Sequence, residues 1–292
     1  MALSGNHLRM KKFDQSIKVA NIIEEGRVGG PQKRIMMVAS KISNQIDTTI
    51  IIPKKNSSDF QLLCKKLNVK YLKSSLITIK RDIFSVISYL ILFPYEVLKL
   101  SHLLKKNQFD LVHISGGSWQ YKGILAAKLA NIKAVWHLND TYVPLPFRII
   151  FKILSPLASG YIFSAHRAKE YYDKYLDSEK PKFIIPPPVD TTLFSPSQNY
   201  TENKEILESL RELIVIGTIA NINKIKGLET FIRAGSFLNK KFKNLHFIII
   251  GEVFSNQSKY FNSLRELCKK MNLSNIDFVN NSLFPKLDNN SC

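Results

Sequence analysis

Short apolar runs alternate with stretches of helical period along most of the chain. The runs that predict strands in the first part are Ile17–Ile23, Asp47–Pro53, Asp110–Ser115, Lys133–Leu138, Gly160–Ser164 and Lys182–Pro186. Helical patterns lie between them, for example at Pro31–Ile42, Tyr121–Ala130 and Ala165–Tyr175. This alternation predicts an α/β protein with a mainly parallel, doubly wound sheet, whose ligands bind at the carboxyl ends of the strands.

The pattern stops and then restarts towards the end of the chain. Residues 187–210 are rich in Pro, Ser, Thr and Asn and show little hydrophobic periodicity, so they predict a linker. From residue 211 the alternation resumes, with three predicted strands and two predicted helices. We therefore predict an N-terminal Rossmann-like domain at 1–186 and a second, incomplete Rossmann-like domain at 211–292.

The most apolar stretch of the sequence is Ile83–Tyr95. Its uncharged run is shorter than the roughly 20 residues that a membrane-spanning helix needs, and we expect Pro94 and Glu96 to end it. Two interpretations remain: a largely buried helix, which we favour, and a patch that lies on a membrane surface. The second is supported by positive charge on both sides, at Lys80, Arg81, Lys99, Lys105 and Lys106.

The chain is strongly basic, with 42 Lys+Arg against 23 Asp+Glu and a net charge of +19. Its hydrophobic content of 45% is typical of a globular protein with a full core. Such a surface suits phosphates, nucleic acid or an anionic membrane, although a composition rich in Lys explains the charge equally well. Because no nucleic-acid-binding motif accompanies the charge, we expect no nucleic-acid partner.

The three cysteines, Cys64, Cys268 and Cys292, show no metal-ligand spacing, and their odd number argues against a disulfide framework. They favour a reducing compartment. The first fifteen residues lack the apolar segment of a signal peptide. We therefore expect a cytoplasmic protein, with peripheral attachment to the inner membrane face as a further option, and no metal or cofactor.

Two loops of the first domain are candidates for ligand contacts. In the first, Gly26–Pro31, the backbone N–H groups of Gly29 and Gly30 can approach an anion, although a tight turn without a ligand explains these glycines too. The second carries His137 and Asp140 just past a predicted buried strand. This histidine can donate to a sugar hydroxyl or a phosphate oxygen, and the carboxylate can orient its ring.

Two further loops lie in the second domain. The first contains Lys224, Lys226 and Gly227 where a strand gives way to a helix. Cations beside a helix N-terminus can bind a diphosphate without a metal ion, although a solvated basic loop is the alternative. The other loop follows an apolar strand and adds Gly251 and Glu252 as further candidates, with Gly251 suited to a close backbone approach.

These loops, in this order, resemble the retaining GT-B glycosyltransferases of group 1, also called family 4. The segment "IVIGTIANINKIKGLETFIRAGSFLNKKFKNLHFIIIGE" resembles the opening of that family's second domain, with its Lys-Gly pair. "IIPPPVDTTLF" resembles its crossing segment, with Val189, Asp190 and Phe194 in place. "FDLVHIS", "AVWHLND" and the "GGP" at Gly29–Pro31 resemble motifs of its first domain.

The resemblance implies a hexosyltransferase-type enzyme that transfers a sugar from a nucleotide-diphosphate donor to a glycan or lipid-linked acceptor, with retention. It places the donor mostly on the second domain and the acceptor on the first, in a cleft between them. Lys226 would neutralise the leaving diphosphate, and His137 would hydrogen-bond the transferred sugar. Gly29 and Gly30 would contribute backbone N–H groups near the phosphates or the acceptor. The basic surface would suit an anionic membrane that carries the acceptor.

Three departures from the family pattern affect these expectations. Ala220 and Asn221 stand where the family usually has an arginine, and Lys224 is the available substitute. Pro187 replaces the asparagine of the crossing segment. The family's paired glutamates are not reached before residue 292, so we expect a truncated second domain and weak or no transfer.

The alternative is a non-catalytic remnant or partner subunit that binds a glycan or acceptor. A nicotinamide-dependent oxidoreductase is disfavoured, because the G-x-G-x-x-G fingerprint is absent.

Overall fold

The computed structural model describes residues 16–78, 83–191, 195, 208, 210–253 and 257–279. The chain divides into two compact units, Met1–Asp190 and Thr191–Cys292. Both are α/β units with parallel sheets, and the second sheet is the smaller one, as the sequence predicts. The predicted linker lies largely outside the described residues, as does Phe194.

The first unit contains a seven-stranded sheet in the order β3-β2-β1-β4-β5-β6-β7, and every neighbouring pair is parallel. Its strands are β1 (Ile17–Ile22), β2 (Ile46–Pro53), β3 (Lys70–Ser74), β4 (Leu111–Ile114), β5 (Lys133–Leu138), β6 (Gly160–Phe163) and β7 (Lys182–Ile184). Its helices are α1 (Gly30–Lys41), α2 (Ser58–Lys66), α3 (Ile83–Lys106), α4 (Tyr121–Ala130), α5 (Leu145–Leu154) and α6 (His166–Asp173).

Helices cover both faces of this sheet, which is why its strands are apolar along most of their length. The larger core joins β1, β4, β5 and β6 to α3, α4, α5 and α6, with Trp136 and Tyr161 fully buried. The smaller core lies under α1 and α2 and contains Met36 and Phe60. β1 pairs with β2 on one side and with β4 on the other, so the strand order reverses there, where ligands bind in doubly wound sheets.

Helix α3 differs from the favoured sequence interpretation. It spans 24 residues and continues through Pro94 and Glu96, whereas we expected these residues to end it. Glu96 is buried and paired with Lys122, so its charge does not force the chain into solvent. The first half of the helix is not largely buried, since Phe84 is 78% exposed and Ile91 is 70% exposed. By length and composition alone, α3 could cross a membrane.

The second unit contains a parallel sheet in the order β10-β9-β8 within the described residues. Its elements are β8 (Ile214–Ile219), a 3-10 turn (Lys224–Lys226), α7 (Leu228–Asn239), β9 (Leu245–Ile250), α8 (Ser258–Lys270) and β10 (Ile276–Val279). Leu228, Ile232, Phe247 and Leu264 form its core between the two helices and the sheet. The loop after β8 and the loop after β9 lie at the same edge, because the two strands are parallel neighbours.

Candidate active site

Three polar residues stand between apolar neighbours on strands of the first unit: Asn21 on β1, His113 on β4 and His137 on β5. Their flanking neighbours all belong to the larger core, namely Ala20, Ile22, Val112, Ile114, Trp136 and Leu138. Because side chains alternate across a strand, the three polar residues face the opposite side of the sheet. They lie near the carboxyl ends of three adjacent strands.

These side chains form a continuous polar row. The side-chain amide of Asn21 lies 3.0 Å from Nδ1 of His113, and Nε2 of His113 lies 3.2 Å from Nδ1 of His137. The two imidazole rings are stacked, with centroids 5.3 Å apart. Arg34 on α1 completes the row, because its Nη1 lies 2.8 Å from Nε2 of His137 and also donates to Oδ1 of Asn139 at 2.8 Å. The row therefore joins α1 to the switch point of the sheet.

The arginine determines the protonation of both histidines. A guanidinium can only donate, so Nε2 of His137 must accept and the ring proton lies on Nδ1, facing His113. Burial, together with the nearby Arg34 charge, lowers the pKa of His113 to about 4. Burial, Arg34 and His113 together lower the pKa of His137 to about 2. Both rings are therefore neutral at physiological pH, and His137 is the proton donor between them.

Arg34 itself is a buried cation. It is only 8% exposed, and burial lowers its pKa to about 10. Its Nη2 atom has no hydrogen-bond partner, and neither has Nδ2 of Asn139. Two unpaired donors thus lie on two side chains that are hydrogen-bonded to each other.

The ring of His137 is held by Arg34 and His113, and not by Asp140 as the sequence suggested. Asp140 accepts a hydrogen bond from Ser118 at 3.0 Å and another from the hydroxyl of Tyr172. It thereby supports the loop after β4, where a Cβ added to Gly117 would lie 3.2 Å from its carboxylate. Asp140 therefore stabilises the loop after β4 and does not hydrogen-bond the ring of His137.

The glycine loop after β1 leads directly into α1. Gly29 is the residue before the helix, and its N–H donates to Oε1 of Gln32 at 3.1 Å, which satisfies one donor of the first turn. Gly30 begins the helix, and a Cβ added there would meet nothing within 4 Å. Of the two predicted N–H groups, that of Gly30 is therefore the accessible one.

A buried ion cluster lies beside this loop. Nζ of Lys122 is 2.6 Å from Oε2 of Glu96 and 3.7 Å from Oε2 of Glu24, and it lies 4.0 Å from the ring centroid of Tyr89. Burial raises the pKa of Glu24 to about 7 even though Lys122 acts in the opposite direction. The cluster connects α3 and α4 to the start of the glycine loop.

In the second unit, Lys224 and Lys226 are the ends of the 3-10 turn that precedes α7, and both are exposed. Gly227 joins the turn to the helix with a φ of 68°, a left-handed conformation that favours glycine. Asn223 stabilises the turn, because its side chain accepts from the N–H of Ile225 at 3.3 Å. The structure thus places two cations immediately before a helix N-terminus.

Gly251 and Glu252 lie in the loop after β9. A Cβ added to Gly251 would stand 2.0 Å from the carbonyl oxygen of Ala220, so this glycine permits contact with the loop after β8. The carbonyl of Glu252 accepts from the N–H of Ile222 at 3.1 Å, and its side chain is exposed. Within the described ranges, no group of three or more His, Cys, Asp or Glu side chains could hold a metal ion.

Sequence reasoning missed Arg34, His113 and Asn139 as site residues. The signal for His113 was present, because a polar residue inside a buried apolar strand needs a partner. Arg34 lies among basic and apolar residues of a helix, where a solvated arginine is the usual expectation. Only the packing of α1 on the sheet shows that it is buried.

The fold of the chain is that of the GT-B glycosyltransferases. A solved structure, Anabaena Alr3699/HepE in complex with UDP and glucose, superimposes with a TM-score of 0.70 at 14% identity, covering 90% of this chain and 69% of that one. The sequence model of Glycosyltransferase Family 4 matches residues 28–193. The chain therefore belongs to Glycosyltransferase Family 4, and the resemblance noted from its motifs is confirmed.

Two curated relatives carry the name UDP-N-acetylglucosamine--N-acetylmuramyl-(pentapeptide) pyrophosphoryl-undecaprenol N-acetylglucosamine transferase. The protein from Francisella tularensis subsp. tularensis (strain WY96-3418) is 26% identical over 160 residues, 54% of this chain and 42% of its own length. The protein from Borrelia garinii subsp. bavariensis is 24% identical over 254 residues, 82% of this chain and 61% of its own length. The chain thus spans only part of the length of these relatives.

Proposed function

We propose that the protein serves in the transfer of a sugar from a nucleotide-diphosphate donor to a glycan or lipid-linked acceptor, with retention at the anomeric carbon. The observation that carries this proposal is the polar row of Arg34, His137 and His113. The row lies at the carboxyl ends of adjacent strands and within the segment that the family model matches. The names of the relatives, which specify a UDP-sugar and a pyrophosphoryl-undecaprenol acceptor, support the same direction.

The donor belongs to the second unit in this proposal. Lys224 and Lys226 precede the N-terminus of α7, where N–H groups and the helix dipole favour an anion. Their fixed positive charge would stabilise the diphosphate as it leaves, so the proposal needs neither a metal ion nor another cofactor. Glu252 is the exposed candidate on the neighbouring loop for a hydroxyl of the donor.

The acceptor belongs to the first unit. Neutral His137 is our candidate for the residue beside the transferred sugar, and the N–H of Gly30 is the accessible backbone donor. Both ring nitrogens of His137 are engaged, so its contact with a sugar requires Arg34 to move off Nε2.

We further propose peripheral attachment to an anionic membrane on the cytoplasmic side. The exposed apolar residues of α3, apart from Leu92, recur at helical spacing and form one face: Ile83, Phe84, Ile87, Leu90, Ile91, Tyr95 and Leu98. On α5, Leu145, Ile149 and Ile153 are also exposed, as is Lys152, and half-buried Arg148 lies on the same helix. Apolar residues with cations beside them match the boundary between lipid chains and anionic headgroups. Of the flanking cations, Lys80 and Arg81 lie outside the described residues.

Calorimetric titration of the full chain with UDP tests the donor side. We expect UDP to bind, and we expect Lys226→Gln to weaken its affinity about tenfold, because a charge-assisted contact to the diphosphate is lost. Lys243→Gln is the matched control, since Lys243 is an exposed lysine before β9, at the opposite edge of the same sheet. Equal UDP affinity in the wild type and the Lys226 variant would contradict the proposal. Binding of an acceptor without any binding of UDP would favour a non-catalytic acceptor-binding protein.

A further inference from the structure

The guanidinium of Arg34 has no counter-ion among the residues that the structure describes. Its hydrogen-bond partners, His137 and Asn139, are both neutral. The carboxylates of the neighbouring loops are engaged elsewhere: Glu24 faces Lys122, Glu25 pairs with Arg27 at 3.0 Å, and Asp140 accepts from Ser118 and Tyr172. A buried cation without an anion is costly to maintain, and the cost is recovered only when an anion binds.

The unpaired donors around Arg34 have a definite chemistry. Nη2 of Arg34 and Nδ2 of Asn139 are buried and unpaired, while Nη1 of Arg34 and Oδ1 of Asn139 hold the two side chains together at 2.8 Å. Two N–H donor groups on a planar guanidinium and an adjacent amide suit the oxygens of a phosphate group.

The position of Arg34 on α1 favours the same ligand. Arg34 is one helical turn after Gly30, and helical side chains lean towards the N-terminus of their helix. The first turn of α1 and the space beside Gly30 are therefore on the side towards which Arg34 leans. The 12-residue helix adds a favourable dipole at that end.

We propose that Arg34 and Asn139 form a binding site for a phosphate group of the substrate, so that the acceptor is a phosphorylated or diphosphate-linked molecule. This inference rests on the proposed function only where it assigns the phosphate to the acceptor. The phosphate site itself follows from contacts within the first unit. A phosphate at Arg34 would draw the guanidinium away from His137. Nε2 of His137 would then be free to accept a hydrogen bond from a sugar hydroxyl, which couples phosphate binding to the residue beside the transferred sugar.

Calorimetric titration with inorganic pyrophosphate tests this site. The titration is done in Lys226→Gln protein, so that the candidate diphosphate site of the second unit is weakened to the same extent in every sample. We expect pyrophosphate to bind, and we expect addition of Arg34→Gln to reduce its affinity at least about tenfold. Addition of Lys33→Gln is the matched control, because Lys33 is the adjacent, exposed cation of the same helix. No binding, or equal loss in the Lys33 variant, would overturn the proposal.

Two ligands distinguish the source of the phosphate. Farnesyl diphosphate represents a lipid-linked acceptor and should depend on Arg34, whereas UDP represents the donor and should depend on Lys226. UDP binding that depends on Arg34 and not on Lys226 would overturn the assignment to the acceptor. If neither the wild type nor any variant bound UDP, the proposed function would be contradicted. Pyrophosphate binding that depends on Arg34 would still support the phosphate site of the first unit.

If Arg34→Gln fails to fold, NMR spectroscopy of His137 in the wild-type protein tests the phosphate site instead. In wild-type protein, pyrophosphate should shift the Nε2 resonance of His137, because its arginine donor moves. Arg34→Lys keeps the charge but loses the two-pronged donor, so it should bind pyrophosphate more weakly than the wild type. An unchanged His137 resonance at saturating pyrophosphate would overturn the proposal.

Discussion

The side chains of the polar row carry charge states that their surroundings impose. His113 and His137 are neutral because burial and the Arg34 charge disfavour a second cation in the same space. The sequence predicted His137 as a site residue from its position at a strand end, but it could not predict the partner of its ring. That partner comes from α1, 103 residues away in the sequence, and only the packing of the helix on the sheet brings them together.

The row makes stability depend on pH. The pKa of His113 is about 4 in the folded protein against an ordinary 6.5, so the unfolded chain binds more protons between these values. We therefore expect the contribution of His113 to the free energy of unfolding to fall by about 1.4 kcal/mol per pH unit between pH 6.5 and 4.

Urea unfolding of the wild type and of His113→Asn at several pH values measures this contribution. Glu24, whose raised pKa acts with the opposite sign between pH 4.5 and 7, is present in both proteins and cancels in the difference. Parallel pH profiles for the two proteins would contradict the prediction.

Gly251 gives a second prediction at the level of single residues. Gly251→Ala places a Cβ 2.0 Å from the carbonyl oxygen of Ala220, so the backbone of one of the two loops must move. We expect urea unfolding to show a loss of at least about 2 kcal/mol in the free energy of unfolding. Gly217→Ala is the control, because its Cβ would be 3.7 Å from the nearest atom, the Ile248 carbonyl oxygen. Equal stability of the two variants would show that the loops are not in contact.

The observed bounds of strands and helices agree with the hydrophobic pattern where one face of the element is buried in the core. β5 and α4 have the predicted bounds, Lys133–Leu138 and Tyr121–Ala130. The pattern did not indicate β3, Lys70–Ser74, because an edge strand with two lysines needs little apolar surface. It also ended α3 too early, at Pro94 and Glu96, because it does not show that Glu96 is paired with buried Lys122.

The exposed face of α3 leads to a prediction about membrane attachment. The double substitution Phe84→Ser and Ile91→Ser removes two highly exposed apolar side chains without touching the core. We expect it to abolish most co-flotation with phosphatidylglycerol liposomes, since each buried apolar side chain contributes about 1.5–3 kcal/mol and the loss of two weakens binding at least about a hundredfold.

The control for this experiment is Leu62→Ser, which removes a 67% exposed leucine from α2. This substitution should leave flotation unchanged. Liposomes of neutral lipid should bind the wild type more weakly than anionic liposomes do, because their headgroups offer no negative charge to the cations of α3 and α5. A wild-type protein that does not float with anionic liposomes would contradict membrane attachment.

At the scale of the whole molecule, the sequence predicted two parallel α/β units and their family. The prediction succeeded because strand–helix alternation and the loops that follow the strands are local features of the sequence. The net charge of +19 gave less information, because it does not show which cation is buried. Among the candidate residues, the decisive feature is that Lys226 of the second unit is exposed whereas Arg34 of the first unit is buried, and this contrast depends on the packing within each unit.

We propose, above all, that a nucleotide binds the second unit while a phosphorylated acceptor binds the first. The most direct measurement is an amide NMR titration of the full chain with UDP and, separately, with farnesyl diphosphate. We predict that UDP shifts the amides of Lys224–Leu228 and that farnesyl diphosphate shifts those of Gly30, Arg34 and His137. UDP shifts confined to the first unit, or no response to either ligand, would contradict it.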